Sequence, residues 1–144
     1  MQETERKRQN VDNSYVLDSY ALLAHFEDEP GGERVMSILK AARIGKTKLY
    51  LSVINLGEIY YNTARERGIE KADETRLIIE QLPITIIDAD KAFTLQAAKL
   101  KALYPVAYAD CFVAALGIMK KCKVVTGDPE FKKMSDSVKI EWIG

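Results

Sequence analysis

Residues 108–130 read YADCFVAALGIMKKCKVVTGDPE, and the period of their hydrophobic pattern changes once along the way. From Tyr108 to Lys120 the segment is apolar nearly all round, with Phe112, Ala115, Leu116 and Met119 recurring at helical spacing. That pattern predicts a buried helix. Lys123-Val124-Val125-Thr126 is short, partly β-branched and bounded by Gly127, which predicts a strand. Asp128-Pro129-Glu130 then has the form of a helix start, with Asp as N-cap and Pro in the first position. Helix, strand and helix start in succession fit a parallel sheet, whose strands are joined by helical crossovers.

The alternation continues outward from this stretch. Strands are predicted at Tyr15-Val16-Leu17, ending at Asp18, at Lys48 to Ser52 and at Ile84-Thr85-Ile86-Ile87, with a possible fifth from Val138 to Trp142. Helical repeats lie between them. They are Val35, Ile38, Leu39 and Ala42; a segment from about Val53 to Glu66; residues 69–82, stopped by Pro83; and Phe93, Ala97 and Leu100. The expected fold is a three-layer α/β/α sandwich with a central, mainly parallel sheet. Residues 14–144 are expected to form one domain, after a charged, loose lead-in over 1–13.

Composition narrows the function. The chain has 144 residues, 47% hydrophobic and 29% charged, enough to bury roughly 70% of its unfolded surface without staples. Lys plus Arg and Asp plus Glu are each 21, so the net charge of zero argues against a strongly basic nucleic-acid coat protein. It leaves room for local basic contacts. Cys111 and Cys122 lack zinc-ligand spacing and are too few for a disulfide scaffold, which suits a reducing cytoplasm. No apolar run is long enough to span a bilayer. A soluble, cytoplasmic protein with no membrane partner is expected.

In open α/β sheets ligands bind beyond the carboxyl ends of the strands, so the acids there come first. Asp18 directly follows one strand, and Asp128 follows another across a single glycine. Either could simply cap a helix, and capping leaves one carboxylate oxygen free. Glu58 shares a helix face with Asn55, Asn62 and Arg65, a pattern equally suited to a solvated surface. Asp110 sits in the first turn of the apolar helix, where an ordinary surface charge is out of place. Carboxylates from several elements suit hard cations such as magnesium or manganese, which offset their mutual repulsion and act on phosphate esters.

Four segments together resemble the PIN-domain family, and within it the VapC-like toxin ribonucleases. They are Val16-Leu17-Asp18-Ser19-Tyr20-Ala21-Leu22-Leu23-Ala24, Leu51-Ser52-Val53-Ile54-Asn55-Leu56-Gly57-Glu58-Ile59, Tyr108-Ala109-Asp110-Cys111-Phe112-Val113-Ala114-Ala115 and Val124-Val125-Thr126-Gly127-Asp128-Pro129-Glu130-Phe131. Their order and spacing fit across residues 15–142. The resemblance implies an endoribonuclease that uses Mg2+ or Mn2+ to cleave single-stranded RNA and is held inactive by a cognate antitoxin. Asp18, Glu58 and Asp110 would be its core metal-binding acids and Asp128 a fourth, more variable one, with Ser19 and Thr126 in support. A homodimer is likewise implied, and the apolar surroundings of Tyr60 and Tyr61 offer possible contact surface.

Other residues carry weaker signals. His25 is the only histidine and reads as a helix-end residue, so no Ser/His/Asp or Cys/His arrangement is available. An aspartyl-phosphate chemistry at Asp18 would want a second Asp two residues on, where Tyr20 stands. A non-catalytic PIN-like RNA-binding or interaction protein is the alternative, against which the four retained acids argue. Arg65, Arg67, Lys120, Lys121, Lys123, Lys132 and Lys133 could contact phosphates, and Tyr20, Tyr61 and Tyr108 could stack on bases.

Overall fold

The computed structural model describes residues 13–144, so nearly all of the expected lead-in over 1–13 lies outside the described residues. Five strands, β1 (Ser14–Leu17), β2 (Lys48–Ser52), β3 (Thr85–Ile87), β4 (Lys123–Thr126) and β5 (Ile140–Trp142), form one sheet in the order β3-β2-β1-β4-β5. Every neighbouring pair is parallel, so the sheet is wholly rather than mainly parallel. The helices are α1 (Ser19–Phe26), α2 (Gly32–Arg43), α3 (Val53–Arg67), α4 (Ile69–Gln81), α5 (Lys91–Leu103) and α6 (Tyr108–Lys120).

Alternation along the strands builds two cores. Val16 and Val124 pack on one face with α5 and α6. Leu17, Leu49, Leu51 and Val125 pack on the other with residues of α1, α2, α3 and α4. The three-layer sandwich follows. Helix α6 supplies an unbroken buried run, Cys111 to Gly117, and comes close enough to the sheet that a Cβ on Gly117 would stand 2.8 Å from Val138 and 3.1 Å from Val124. Its last turn leaves this packed region, and Met119, expected on the buried face, is exposed.

The segment after Asp128 also differs from the α-helix its sequence suggests. Pro129–Met134 is a 3-10 turn. Phe131 and Met134 are both fully buried, and a period of three places residues that far apart on one face.

The strand order fixes where chemistry can gather. The chain runs from β1 to β2 on one side and places β4 on the other, so the order in which strands are added reverses between β1 and β4. The carboxyl ends of these two strands therefore border the crevice at a topological switch point. Leu17 pairs with Val125, which brings Asp18 level with Thr126.

Candidate functional site

Asp18 is the most constrained acid. It is 2% exposed and caps α1, its Oδ1 accepting from the Ala21 amide at 2.8 Å. Its Oδ2 accepts a hydrogen bond from the Thr126 hydroxyl, the neighbour that strand register provides. The Thr126 Oγ1 in turn accepts from the Asp128 amide at 3.0 Å. One buried hydroxyl thus links the acids that follow β1 and β4. Asp128 caps the 3-10 turn through Oδ1, which accepts from the Glu130 amide at 3.0 Å, so its capping role is real and uses one oxygen.

Glu58 lies in the second turn of α3, behind β2. Its Oε1 accepts from the Ser19 hydroxyl at 2.5 Å and from the Asn55 amide at 3.4 Å. Asn55 is fully buried and its Oδ1 has no hydrogen-bond partner among the described residues. A flipped amide would set that oxygen against Oε1 of Glu58, so this bond fixes which way the Asn55 amide points. Asn55 is a site residue that the sequence pattern only grazed, as a companion on the Glu58 face.

Asp110 stands in the first turn of α6, half-buried, and its carboxylate accepts no hydrogen bond from the described residues. It is therefore not a capping residue. Its pKa is pushed up to about 7, first by burial, then by the negative charges of Asp128, Glu58 and Glu130. Asp18 is likewise pushed up to about 7. Burial dominates there, Asp110 and Asp128 add repulsion, and the bonds from Thr126 and Ala21 oppose it. The two shifts record that Asp18, Glu58, Asp110 and Asp128 share one electrostatic neighbourhood. Glu130 joins them as an exposed fifth acid; its sequence signal was absorbed by the helix-start reading of Asp128-Pro129-Glu130.

The rim is built around a glycine. A Cβ on Gly127 would fall 2.3 Å from the Tyr20 ring and 2.7 Å from the Ile143 carbonyl, so only glycine lets Tyr20 lie over the turn into Asp128. Tyr20 and Tyr108 remain partly exposed, and Tyr108 packs against Phe112. His25 lies at the far end of α1 against Phe26, about 10 Å along the helix from Asp18. Burial lowers its pKa. Cys111 and Cys122 are both buried free thiols.

Among the described residues, no three Asp, Glu, His or Cys side chains stand close enough to hold a metal ion in their present rotamers. Both oxygens of Asp18 are engaged by the protein, and Glu58 Oε1 is drawn to Ser19 and Asn55. The donor set nevertheless fits a hard cation: all-oxygen ligands, two of them poorly tolerated as anions without positive charge nearby.

The Thr126 hydroxyl gives a first test. Thr126→Val keeps the shape but removes the donor to Asp18 and leaves the Asp128 amide unpaired. Unfolding free energy at neutral pH should drop by roughly 1–3 kcal/mol. Urea titration with an unchanged m value would register it.

A wholly parallel sandwich with carboxylates gathered at its switch point defines an α/β protein with an acidic centre. The chain belongs to the PIN domain family, whose model matches residues 15–137. No curated protein sequence matches it. The fold is shared with solved structures at low identity. VapBC2 from Rickettsia felis, bound to a promoter DNA fragment, aligns with TM-score 0.70 and 19% identity over 91% of this chain and 99% of that one. DNA-bound VapBC from Salmonella typhimurium gives 0.69 and 18% over 89% and 96%. VapC20 from Mycobacterium tuberculosis, described as a Sarcin-Ricin loop cleaving toxin, gives 0.63 and 15% over 82% and 92%.

Proposed function

We propose that this protein is a metal-dependent endoribonuclease of the VapC-like toxin type, which cleaves single-stranded RNA and is restrained by an antitoxin. The observation that carries the proposal is that buried Asp18 and half-buried Asp110 sit among other acids: the Thr126 hydroxyl ties Asp18 to the Asp128 backbone, and Asp128 and Glu58 stand near enough to Asp110 to help burial raise its pKa. Two such groups beside Glu58 and Asp128 are costly to assemble for packing alone and useful to a phosphodiester hydrolase. The similarity to toxin structures from toxin–antitoxin complexes supports the same reading.

Asp18, Glu58, Asp110 and Asp128 would hold Mg2+ or Mn2+. When bound, such an ion supplies Lewis acidity toward a phosphate and offsets the carboxylate repulsion. The chain's own residues provide the positioning. Thr126 and the α1 backbone hold Asp18 in one orientation. Ser19 and Asn55 hold Oε1 of Glu58, so its second oxygen is left for the crevice. Asp110 accepts no hydrogen bond from the described residues, which leaves both of its oxygens to a ligand. Asp128 keeps one oxygen beyond its capping bond.

The antitoxin would block the acids most directly with an Arg or Lys side chain, which can pair with the carboxylates in the cation's place. A homodimer is proposed as well. Tyr61 is 47% exposed and carries Arg65 above its ring, whereas Tyr60 is tied to Asp73, so Tyr61 is the residue of this pair available to a second copy. Light scattering should return twice the chain mass.

Cleavage of a labelled single-stranded RNA pool with manganese, magnesium or EDTA tests the function. Cutting with either metal, abolished by EDTA and by Glu58→Gln, is expected. A preparation that binds RNA but never cuts it would instead identify a non-catalytic PIN protein.

A further inference from the structure

The structure sorts the basic residues that the sequence presents. Arg67 pairs with Glu27 at 3.5 Å and Lys133 with Glu130 at 2.9 Å. Arg65 lies over Tyr61 and Lys120 over Tyr50. Lys121 and Lys123 do neither. With Lys139, which sequence reasoning passed over, they line a hollow of about 670 Å³ whose wall includes Ile118, Val138 and Ser137. All three lysines are exposed, and no acid among the described residues stands within ion-pair distance of any of them. In a chain of zero net charge, this is a local concentration of positive charge that no ion pair among the described residues offsets.

Its position is informative. Lys123 opens β4 and Lys139 immediately precedes β5, so the hollow lies at the amino-terminal edge of the parallel sheet, opposite the carboxylates. Helix α6 joins the two ends. Asp110 and Lys121 are eleven residues apart, about 16 Å along its axis. The 3-10 turn gives a second connection, running from Asp128 toward Ser137 and carrying Lys132, which is exposed and in no ion pair among the described residues.

We infer that the Lys121, Lys123 and Lys139 hollow binds the phosphate backbone of the same single-stranded RNA whose scissile bond enters the carboxylate site. The inference rests on the proposed ribonuclease function. An acidic centre repels the phosphates of its own substrate, so affinity must come from positive charge elsewhere on the strand's path. At about 3.4 Å per stacked nucleotide, some five nucleotides bridge the two ends. A tetranucleotide would therefore occupy the carboxylate site without reaching the lysines, and a dodecanucleotide would reach both.

The test replaces all three lysines by Gln, which keeps the aliphatic stem and leaves the left-handed backbone at Lys121 no worse off. The control carries Lys40→Gln, Lys46→Gln and Lys99→Gln, an equal loss of charge at exposed positions elsewhere. Binding of a fluorescent dodecanucleotide is read by anisotropy in EDTA, which needs no catalysis. We expect at least a tenfold loss of affinity in the hollow variant, and a log–log salt slope shallower by about 2, for three phosphates at roughly 0.7 each. Tetranucleotide cleavage should keep its kcat/KM. Equal losses in hollow and control variants would reduce the effect to net charge and overturn the inference. So would unchanged dodecanucleotide binding, or a loss of binding confined to free nucleotides or acidic peptides. If the parent binds RNA through the hollow but never cuts it, the ribonuclease reading fails while the surface stands.

Discussion

Asp18→Asn and Asp110→Asn should each lower RNA cleavage at least about a thousandfold, equivalent to roughly 4 kcal/mol of transition-state stabilisation, while the fold survives. The two substitutions act differently. Asn at 18 can still accept from the Ala21 amide, so the α1 cap persists, and Asn is as good a cap as Asp. What it loses is the negative charge and the acceptor for the Thr126 hydroxyl. Asn at 110 disturbs even less, because that carboxylate makes no hydrogen bond with the described residues. Its removal takes away the carboxyl group on which the charges of Asp128, Glu58 and Glu130 act. Asp128→Asn should be milder, since the cap to Glu130 survives in the amide. Single-turnover cleavage with saturating manganese, beside circular dichroism of each variant, measures both halves. Full activity in Asp18→Asn and Asp110→Asn would remove these acids from the chemistry.

Three of the four acids of this candidate site could be singled out in the sequence because each lies next to a strong local signal, whereas Glu58 stands on a helix face equally suited to solvent. Asp18 ends an apolar triplet, Asp128 follows a β-branched strand, and Asp110 interrupts a helix that is otherwise apolar. What could not be seen depends on strand order. Nothing local says that β1 lies beside β4, so the Asp18–Thr126–Asp128 linkage appears only once Leu17 is paired with Val125. The full burial of Asn55 has the same origin: helical spacing puts it on the Glu58 face, but only packing of α3 within the sandwich removes it from water. The 3-10 turn was obscured because Asp-Pro-Glu starts either kind of helix, and the three-residue spacing of Phe131 and Met134 decides between them through burial. Lys139 carried no motif at all and joins Lys121 and Lys123 only through the placement of β5 beside β4.

Without metal, the protein should lose stability as pH rises from about 4 to 7 and regain it when manganese is added. Asp18 is pushed up from the ordinary 3.8 to about 7 in the folded protein, so between those pH values the folded chain keeps a proton that the unfolded chain has released. The native state then binds more protons than the unfolded state, and stability falls with rising pH until the folded group ionises near 7. Below pH 4 both states are protonated and the deficit disappears. Three pKa units correspond to on the order of 4 kcal/mol for Asp18. Asp110 shifts in the same direction, but the two repel each other and their contributions do not add. Glu27, raised by burial and by Glu29, contributes the same sign from outside the site, so a residual slope should survive in the site variants. A cation bound among the carboxylates favours their charged forms and reverses the trend, stabilising by about 2.7 kcal/mol at a hundred times its dissociation constant. That gain should be largest above pH 7 and fade toward pH 5, where protons compete for the same oxygens. Asp18→Asn removes the ionisation penalty and should make the metal-free protein more stable than the parent at pH 7.5, with the difference vanishing near pH 4. Thermal unfolding of parent, Asp18→Asn and Asp110→Asn, with and without manganese across pH, reads all of these quantities together. Equal manganese shifts in parent and variants would mean that the ion binds away from these carboxylates.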